Sequence, residues 1–301
     1  MDTLDLMRTF VAVVDSMSFT AAGQRLGRSK ALISKHIGEL EERLGTRLIH
    51  RTTRSVKVTE IGRAYYDRAR TLLTDFEALE DTVKAQSGQP RGRLRVTAPQ
   101  TLGEMELMEM VKAFRARYPL LELEIFLADR IVDLVGEGFE VALRVTTLQD
   151  SSLIARKLCD VRLLLCASPD YLAQHGSPQA PGDLVRHNCI VDTNIRWRES
   201  WRFGHPDAGD QIRVNPCISV NSATAVHRAV VEGMGIGFIP EFAVTRDLRQ
   251  GRLVTLFETE TQHRLGVYLV YPHRLHLSAK VRAFIDFTAE WYTPEPPWLK
   301  S

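Results

Sequence analysis

Two glycines, Gly27 and Gly45, each close a short run of helical period, and this punctuation restricts the fold more than any other feature of the chain. Ser18 has the hydroxyl of an N-cap and precedes the first run, Phe19 to Leu26. Gly27 follows, able to take positive φ at no steric cost. Ser29 then caps a run whose inner face is Ile33, Ile37, Leu40 and Leu44, and Gly45 stops it. Upstream, Leu4, Met7, Phe10, Val11 and Val14 recur at helical spacing, giving a first helix to about Asp15. Downstream, Arg47 to Val58 is β-branched and turn-punctuated, as in a small hairpin. Helix, helix, glycine turn, helix and hairpin is the order of a winged helix-turn-helix.

Charge is concentrated in the same stretch. Between Arg28 and Lys57 eight bases (Arg28, Lys30, Lys35, Arg43, Arg47, Arg51, Arg54, Lys57) stand against Glu39, Glu41 and Glu42. That local excess of five exceeds the whole chain's +2, so the remainder is mildly acidic. Such asymmetry marks a surface that faces a polyanion. In a helix-turn-helix the helix after the turn enters the major groove by its first turns. Lys30 and Ser34 are four residues apart and share the side opposite Ile33 and Ile37. Ser29, Lys30 and Ser34 are therefore candidates for base edges, and Ala31 for a thymine methyl. Lys35 and His36 are expected to reach phosphates. His50, Arg51, Thr52, Thr53 and Arg54 form the tip of the expected wing and suit phosphate or minor-groove contact.

Thr59 is expected to cap a long helix reaching about Gln86. Along it Tyr65, Ala69, Leu72, Phe76, Leu79 and Val83 alternate spacings of four and three. That pattern fits a dimerising two-stranded coiled coil, or a helix packed on its own domain. Ser87 to Gly92 reads as a hinge. From Leu94 strands alternate with helices, which implies a parallel sheet covered on both faces. The expected strands are Leu94 to Ala98, Leu123 to Leu127, Val141 to Val145, Arg162 to Ala167, Cys189 to Asp192, Trp201 to Phe203, Ile218 to Asn221, Ile236 to Ile239 and Leu265 to Tyr271. Thr101 with Glu104 is expected to form a capping box for a helix to about Arg117. Asp129 is expected to cap a helix ending near Gly136 and Gly138, and the last helix runs from Ser278 to about Trp291. Thr293 to Ser301 is proline-rich and expected to be loose.

The fold class is thus mixed: an all-α winged helix-turn-helix (1–59), a linker helix and hinge (60–91) and an α/β domain (92–301). Within the last, lobe I covers about 92–161 and 268–292, and lobe II about 162–267. No apolar run approaches the roughly 20 residues of a membrane span, and the start lacks a secretory pattern, so a cytoplasmic protein is expected. Cys159, Cys166, Cys189 and Cys217 are scattered without a C-x-x-C pair, so neither a metal site nor a disulfide framework is expected. Buried thiols are the simplest reading, and a redox pair of Cys159 and Cys166 is the alternative. No nucleophile with a base, phosphate loop or metal cluster is evident, which argues against an enzyme and against a cofactor.

The run Phe10 to Val58 resembles the DNA-binding domain of LysR-type transcriptional regulators. Ser18-Phe19-Thr20-Ala21-Ala22, Ser29 to Ile37, Leu40-Glu41, Leu44-Gly45 and Leu48 to Arg54 follow the family pattern nearly throughout. The commonest family wording has Gln and Pro where this chain has Lys30 and Ala31, and Arg and Gln at Lys35 and His36. These departures leave the fold alone and bear on the operator sequence. Glu137 to Arg144, Cys166 to Leu172 and Gly233 to Pro240 resemble the family's effector domain.

The resemblance implies a sensor built like a periplasmic binding protein, with two α/β lobes and the effector in the cleft. In open parallel sheets ligands bind beyond the C-terminal strand ends, where helix N-termini point amide donors. Pro99, Gln100 and Thr101 leave the first strand there, Thr146 and Thr147 the third, and Asn221 and Ser222 a strand of the second lobe. With Trp201 and Arg144 as weaker members, this set favours a small anion, such as a carboxylate. The resemblance further implies a dimer or dimer of dimers, joined through the linker helix and effector domain, on an imperfect inverted repeat of double-stranded DNA. RNA polymerase is a further expected partner, and a membrane is not.

Overall fold

The computed structural model describes all residues except 1, 52–55, 85–88, 148–152, 205–209, 262, 273–276 and 301, together with the side chains of 51, 74–75 and 77–84. The chain divides into two compact units. One holds Met1–Pro90 with Val132–Glu140 and Arg274–Val281, and the other holds Arg91–Ile131, Val141–His273 and Arg282–Ser301.

The first unit opens with α1 (Thr3–Ser16), α2 (Phe19–Leu26) and α3 (Lys30–Leu44). Ser18 Oγ accepts from the Ala21 N–H and Ser29 Oγ from the Leu32 N–H, so both hydroxyls satisfy orphan donors of a first turn. Gly27 and Gly45 both take φ of 64°, the left-handed cap that stops each helix. Strands β1 (Ile49–Arg51) and β2 (Val56–Val58) pair antiparallel, with His50 opposite Lys57. The core beneath them joins Leu6, Phe10, Val13, Ile33, Ile37, Leu40, Leu48 and Ile49. Thr59 Oγ1 accepts from the Gly62 N–H and starts α4 (Glu60–Lys84).

The heptad reading of α4 is only partly right. Ala69 is buried within the unit and Tyr65 packs edge-on against Phe10, with ring centroids 5.6 Å apart. Tyr66 and Leu73 are buried as well, whereas Leu72 is 49% exposed. The first turns of the linker helix therefore pack on the DNA-binding fold, which removes Tyr65 and Ala69 from a seam with a second chain. The side chains of Leu79 and Val83 lie outside the described residues.

The second unit is built on a sheet shared by two lobes. Its strands are β3 (Gly92–Ala98), β4 (Leu121–Leu127), β5 (Val141–Thr146), β6 (Leu153–Ala167), β7 (Cys189–Asp192), β8 (Ser200–Phe203), β9 (Asp210–Arg213), β10 (Pro216–Val220), β11 (Ile236–Pro240), β12 (Val254–Thr255) and β13 (Arg264–Pro272). The path is β10-β7-β11-β6-β13-β5-β3-β4, with β12 also on β6, while β8 and β9 form a separate hairpin. Pairs β3–β4, β3–β5, β7–β10 and β7–β11 are parallel, but β6 and β13 run antiparallel to their neighbours. The sheet is mixed, because the chain must cross between lobes twice. β6 makes one crossing without a break, pairing with β13 over Leu153 to Arg162 and with β11 over Leu163 to Cys166.

Helices α5 (Gln100–Leu102) and α6 (Met108–Arg117) form one rod interrupted by a π-turn at Gly103–Leu107. Further helices are α7 (Pro169–His175), α8 (Ala223–Val231), α9 (Glu241–Arg249) and α10 (Ala279–Trp291). The helix expected after Asp129 is absent; turns occupy that segment. Nor is the C-terminus loose. Trp298 is 4% exposed and packs on Phe242 and Tyr292, and Lys300 Nζ donates to the Trp291 carbonyl at 2.8 Å. An indole offers enough apolar area to anchor a tail that is otherwise rich in proline.

Cys159 and Cys166 sit on the same strand seven residues apart, or about 23 Å in extended chain. A bond between them is therefore impossible without dismantling β6. Burial pushes the Cys159 thiol up to about 12 and that of Cys166 still further, which keeps both protonated. Among the described residues no helix is long and apolar enough to cross a membrane.

Candidate functional site

The outer face of α3 is polar because its inner face is spent on the core. Ile33 and Ile37 are fully buried, so Ser29, Lys30, Ala31 and Lys35 are left exposed, with Ser34 half-buried beside them. Ser29 serves twice: it sits at the exposed start of the helix and caps it. His50 is exposed on β1, and exposed Lys57 stands opposite it, extending the basic surface. Thr52, Thr53 and Arg54, and the side chain of Arg51, lie outside the described residues.

His36 does not belong to this face. It is 2% exposed, and its Nδ1 lies 3.1 Å from Thr9 Oγ1 and 3.4 Å from Arg28 Nη1. Its ring therefore has no open edge for a phosphate. Arg28, counted above with the basic patch, is also turned inward, donating from Nη2 to Asp5 Oδ1 at 2.7 Å and from Nη1 to Thr9 Oγ1. That hydrogen bond from Arg28 holds the Asp5 carboxyl below its ordinary range. Asp5 and Thr9 on α1, Arg28 before α3 and His36 within it form one polar bracket that orients α3 against α1. The sequence hints were the i, i+4 spacing of Asp5 and Thr9 and the position of His36 between Ile33 and Leu40.

In the second unit β3 of one lobe and β10 of the other each lead into a helix, and these helices meet through Thr101 and Thr224. Pro99 is half-buried and Gln100 exposed where β3 ends, and Thr146 and Thr147 are exposed where β5 ends. Asn221 is exposed after β10, and Ser222 Oγ accepts from the Ala225 N–H to cap α8. The expected capping box does not form, because Thr101 lies inside the helix and points at the other lobe. Thr101 Oγ1 accepts from the Thr224 N–H at 3.1 Å and bonds Thr224 Oγ1 at 3.0 Å. Asp129, expected to cap a helix of its own, instead accepts from the Gln100 N–H and caps α5. Glu104 accepts from Gln100 Nε2 and lies 3.5 Å from Thr224 Oγ1.

Two expectations change here. Trp201 is 1% exposed and packs edge-on against Phe238 at 5.1 Å, so its ring belongs to the lobe II core and offers a ligand no surface. Arg144 is half-buried and donates from Nη1 to the Leu143 carbonyl. The residues that spacing missed are Thr224, Glu104, Asp129 and Asp192, which gather from both lobes. Asp192 ends β7 and accepts from the Asn194 N–H. Burial, reinforced by the charge of Asp129, raises its carboxyl to about 6 against that hydrogen bond.

Asp192 accordingly predicts a pH dependence. The folded protein binds the Asp192 proton more tightly than the unfolded chain does. The penalty of burying the charge is absent below about pH 4 and complete above about pH 6. Relative to Asp192→Asn, the wild type is expected to lose roughly 2–3 kcal/mol of stability between those limits. Urea unfolding of both proteins from pH 4 to 7 measures this, and parallel curves would refute it.

Comparison with known proteins agrees with this architecture. Residues 4–63 match the family described as "Bacterial regulatory helix-turn-helix protein, lysR family", and residues 87–293 match the "LysR substrate binding domain". The chain is 34% identical over 293 residues to the HTH-type transcriptional regulator PtxR of Pseudomonas aeruginosa, covering 97% of this chain and 94% of that one. Among solved structures, CrgA of Neisseria meningitidis, a LysR-type transcriptional regulator, is 31% identical with a TM-score of 0.62, over 95% of this chain and 97% of that one. Full-length AphB of Vibrio cholerae, a virulence activator, is 28% identical with a TM-score of 0.63, over 96% and 99%. A capped helix presenting basic residues, a two-lobed sheet whose lobes meet through polar side chains, and relatives that are regulators rather than enzymes lead to one assignment. The chain belongs to the LysR family of DNA-binding, effector-responsive and oligomeric transcription regulators.

Proposed function

We propose that this regulator reads its operator through the exposed side of α3 and responds to a small polar molecule in the cleft between its lobes. The observation that carries the first part is the division of α3 into a buried face and an exposed one, the latter holding Ser29, Lys30, Ala31, Ser34 and Lys35. Lys30 and Ser34 contact base edges, Ala31 a thymine methyl, and Lys35 with the wing residues His50, Arg51, Thr52, Thr53 and Arg54 the phosphates. A dimer or tetramer binds an imperfect inverted repeat, works in the cytoplasm where the DNA is, and contacts RNA polymerase there.

The contact of Thr101 with Thr224 supports a cleft that opens to admit its ligand. With Thr101 withdrawn, the Thr224 N–H at the start of α8 would receive an anionic group, as a helix N-terminus favours. Asp129, Asp192 and Glu104 would face the other end of the molecule and accept hydrogen bonds from it. A ligand that occupies the open form must displace the interlobe bonds, which supplies the differential affinity a switch requires.

Lys30→Ala and Ser34→Ala are each expected to cost roughly 1–3 kcal/mol on operator DNA and little on random duplex. Lys35→Ala should weaken both alike and reduce the salt slope by about one. Fluorescence anisotropy on the two duplexes over a salt series measures these effects. Equal losses on both DNAs for Lys30 and Ser34 would assign them to the backbone and overturn the reading.

A further inference from the structure

A cavity lies where the chain crosses between the lobes. It measures about 610 Å³ and is lined by Arg162, Leu164, Glu258, Thr259, Thr261, His263 and Arg264. Volumes of a few hundred Å³ suit small metabolites.

This cavity brings two guanidinium-bearing side chains together with the carboxylate of Glu258. Arg162 and Arg264 are direct partners on β6 and β13, so their side chains leave the same face of the sheet at neighbouring positions. Like charges placed directly opposite destabilise a sheet. Arg162 has a counter-charge, because its Nε and Nη2 donate to the buried carboxylate of Glu241. Arg264 has no hydrogen-bond or ion-pair partner among the described residues. Donors for an anion are therefore in place: the Arg264 guanidinium and the Nη1 group of Arg162.

The cavity also carries acceptors. Thr261 is 8% exposed and its hydroxyl donates to the Phe257 carbonyl, which leaves its oxygen free only to accept. Glu258 accepts from Thr255 Oγ1 and has carboxylate lone pairs to spare. His263 Nε2 lies 2.7 Å from the Arg202 carbonyl, and its ring packs on Trp197 at 5.0 Å, forming a firm wall. Paired cationic donors beside anionic and hydroxyl acceptors match a molecule that combines carboxylate with hydroxyl.

We infer that the cavity around Arg162 and Arg264 is a second ligand site, distinct from the cleft, for a small hydroxy acid. The carboxylate bridges the two arginines, and a hydroxyl donates to Glu258. The Arg162–Arg264 rung is the last in which β6 pairs with β13, and the next residue, Leu163, pairs with β11. The occupant thus binds on the strands through which the lobes are joined, where it can alter their relative stability.

Isothermal titration of the full chain with tartrate and with succinate tests this, because the two dicarboxylates share a carbon skeleton and differ in hydroxyls. Tartrate is expected to bind at least fivefold more tightly. Arg264→Gln, an exposed change that removes one of two like charges and should not lower the melting temperature, is expected to weaken tartrate at least tenfold. Glu258→Ala is expected to abolish the preference over succinate, and Asn221→Ala at the cleft to leave tartrate binding intact. Absence of tartrate binding, equal binding to wild type and Arg264→Gln, or loss in Asn221→Ala alone would each overturn the assignment.

Discussion

Gly23→Ala is expected to weaken operator binding at least a hundredfold and to lower the melting temperature of the DNA-binding unit. Gly23 lies in α2, where alanine is intrinsically the better helix former by about 1 kcal/mol. Propensity alone therefore forecasts a gain. Tertiary contact reverses the sign. A β-carbon at this position would stand 2.6 Å from the carbonyl oxygen of Arg28, closer than nonbonded atoms allow. The Arg28 N–H also donates to the Gly23 carbonyl at 2.8 Å, so the two backbones are held together and the intruding methyl cannot be sidestepped. Overpacking of this kind costs roughly 1–3 kcal/mol. The larger effect falls on function, because the carbonyl that must move belongs to the residue before the Ser29 cap. A shift there tilts α3 and detaches the bracket of Arg28 from Asp5, Thr9 and His36. Contacts to base edges tolerate only about half an ångström of misplacement. Thermal unfolding and anisotropy on operator DNA measure the two effects, and a variant that melts higher and binds normally would show that the close approach is not limiting.

Trp201→Ala is expected to destabilise the C-terminal unit by roughly 3–5 kcal/mol, the range found when a buried indole is removed. The ring is 1% exposed and lies among Phe238, Phe203, Leu163, Leu165 and Tyr171 in the lobe II core. The surrounding strands β6, β7 and β11 are held by their ladders, so the space cannot collapse fully. Trp201→Phe keeps an aromatic edge toward Phe238 and should lose less than half as much. Urea unfolding of both variants measures the loss. A ligand-lining role predicts the opposite profile, a large fall in effector affinity with nearly native stability, and that outcome would return Trp201 to the cleft.

The contrast between these two positions shows how far local pattern reaches. Ser18, Gly27, Ser29 and Gly45 all act on backbone groups within a few residues of themselves, and each stands where spacing placed it. His36 was misread although its position carried the information. It lies three residues after Ile33 and four before Leu40, the spacing of the buried side, and polarity outweighed spacing in assigning it to DNA. Thr101 and Asp129 were misread for a different reason. Each has the chemistry of a cap, but Thr101 accepts from a backbone amide 123 residues away and Asp129 from one 29 residues away. No window of the sequence contains both ends of such a bond. Likewise the strand expected to begin at Arg162 begins at Leu153 and crosses from one lobe to the other without a break.

The order of helices, the winged motif, the basic stretch and the alternation of strands with helices were thus set by neighbours in the chain, through capping, turn geometry and the period of apolar side chains. Which polar residues face solvent, which lock α3 to α1, and how carboxylates and threonines from two lobes meet at one cleft were decided by packing alone. The physical reason is that hydrogen bonds and ion pairs saturate at short range in space, and folding brings together groups that the chain keeps far apart.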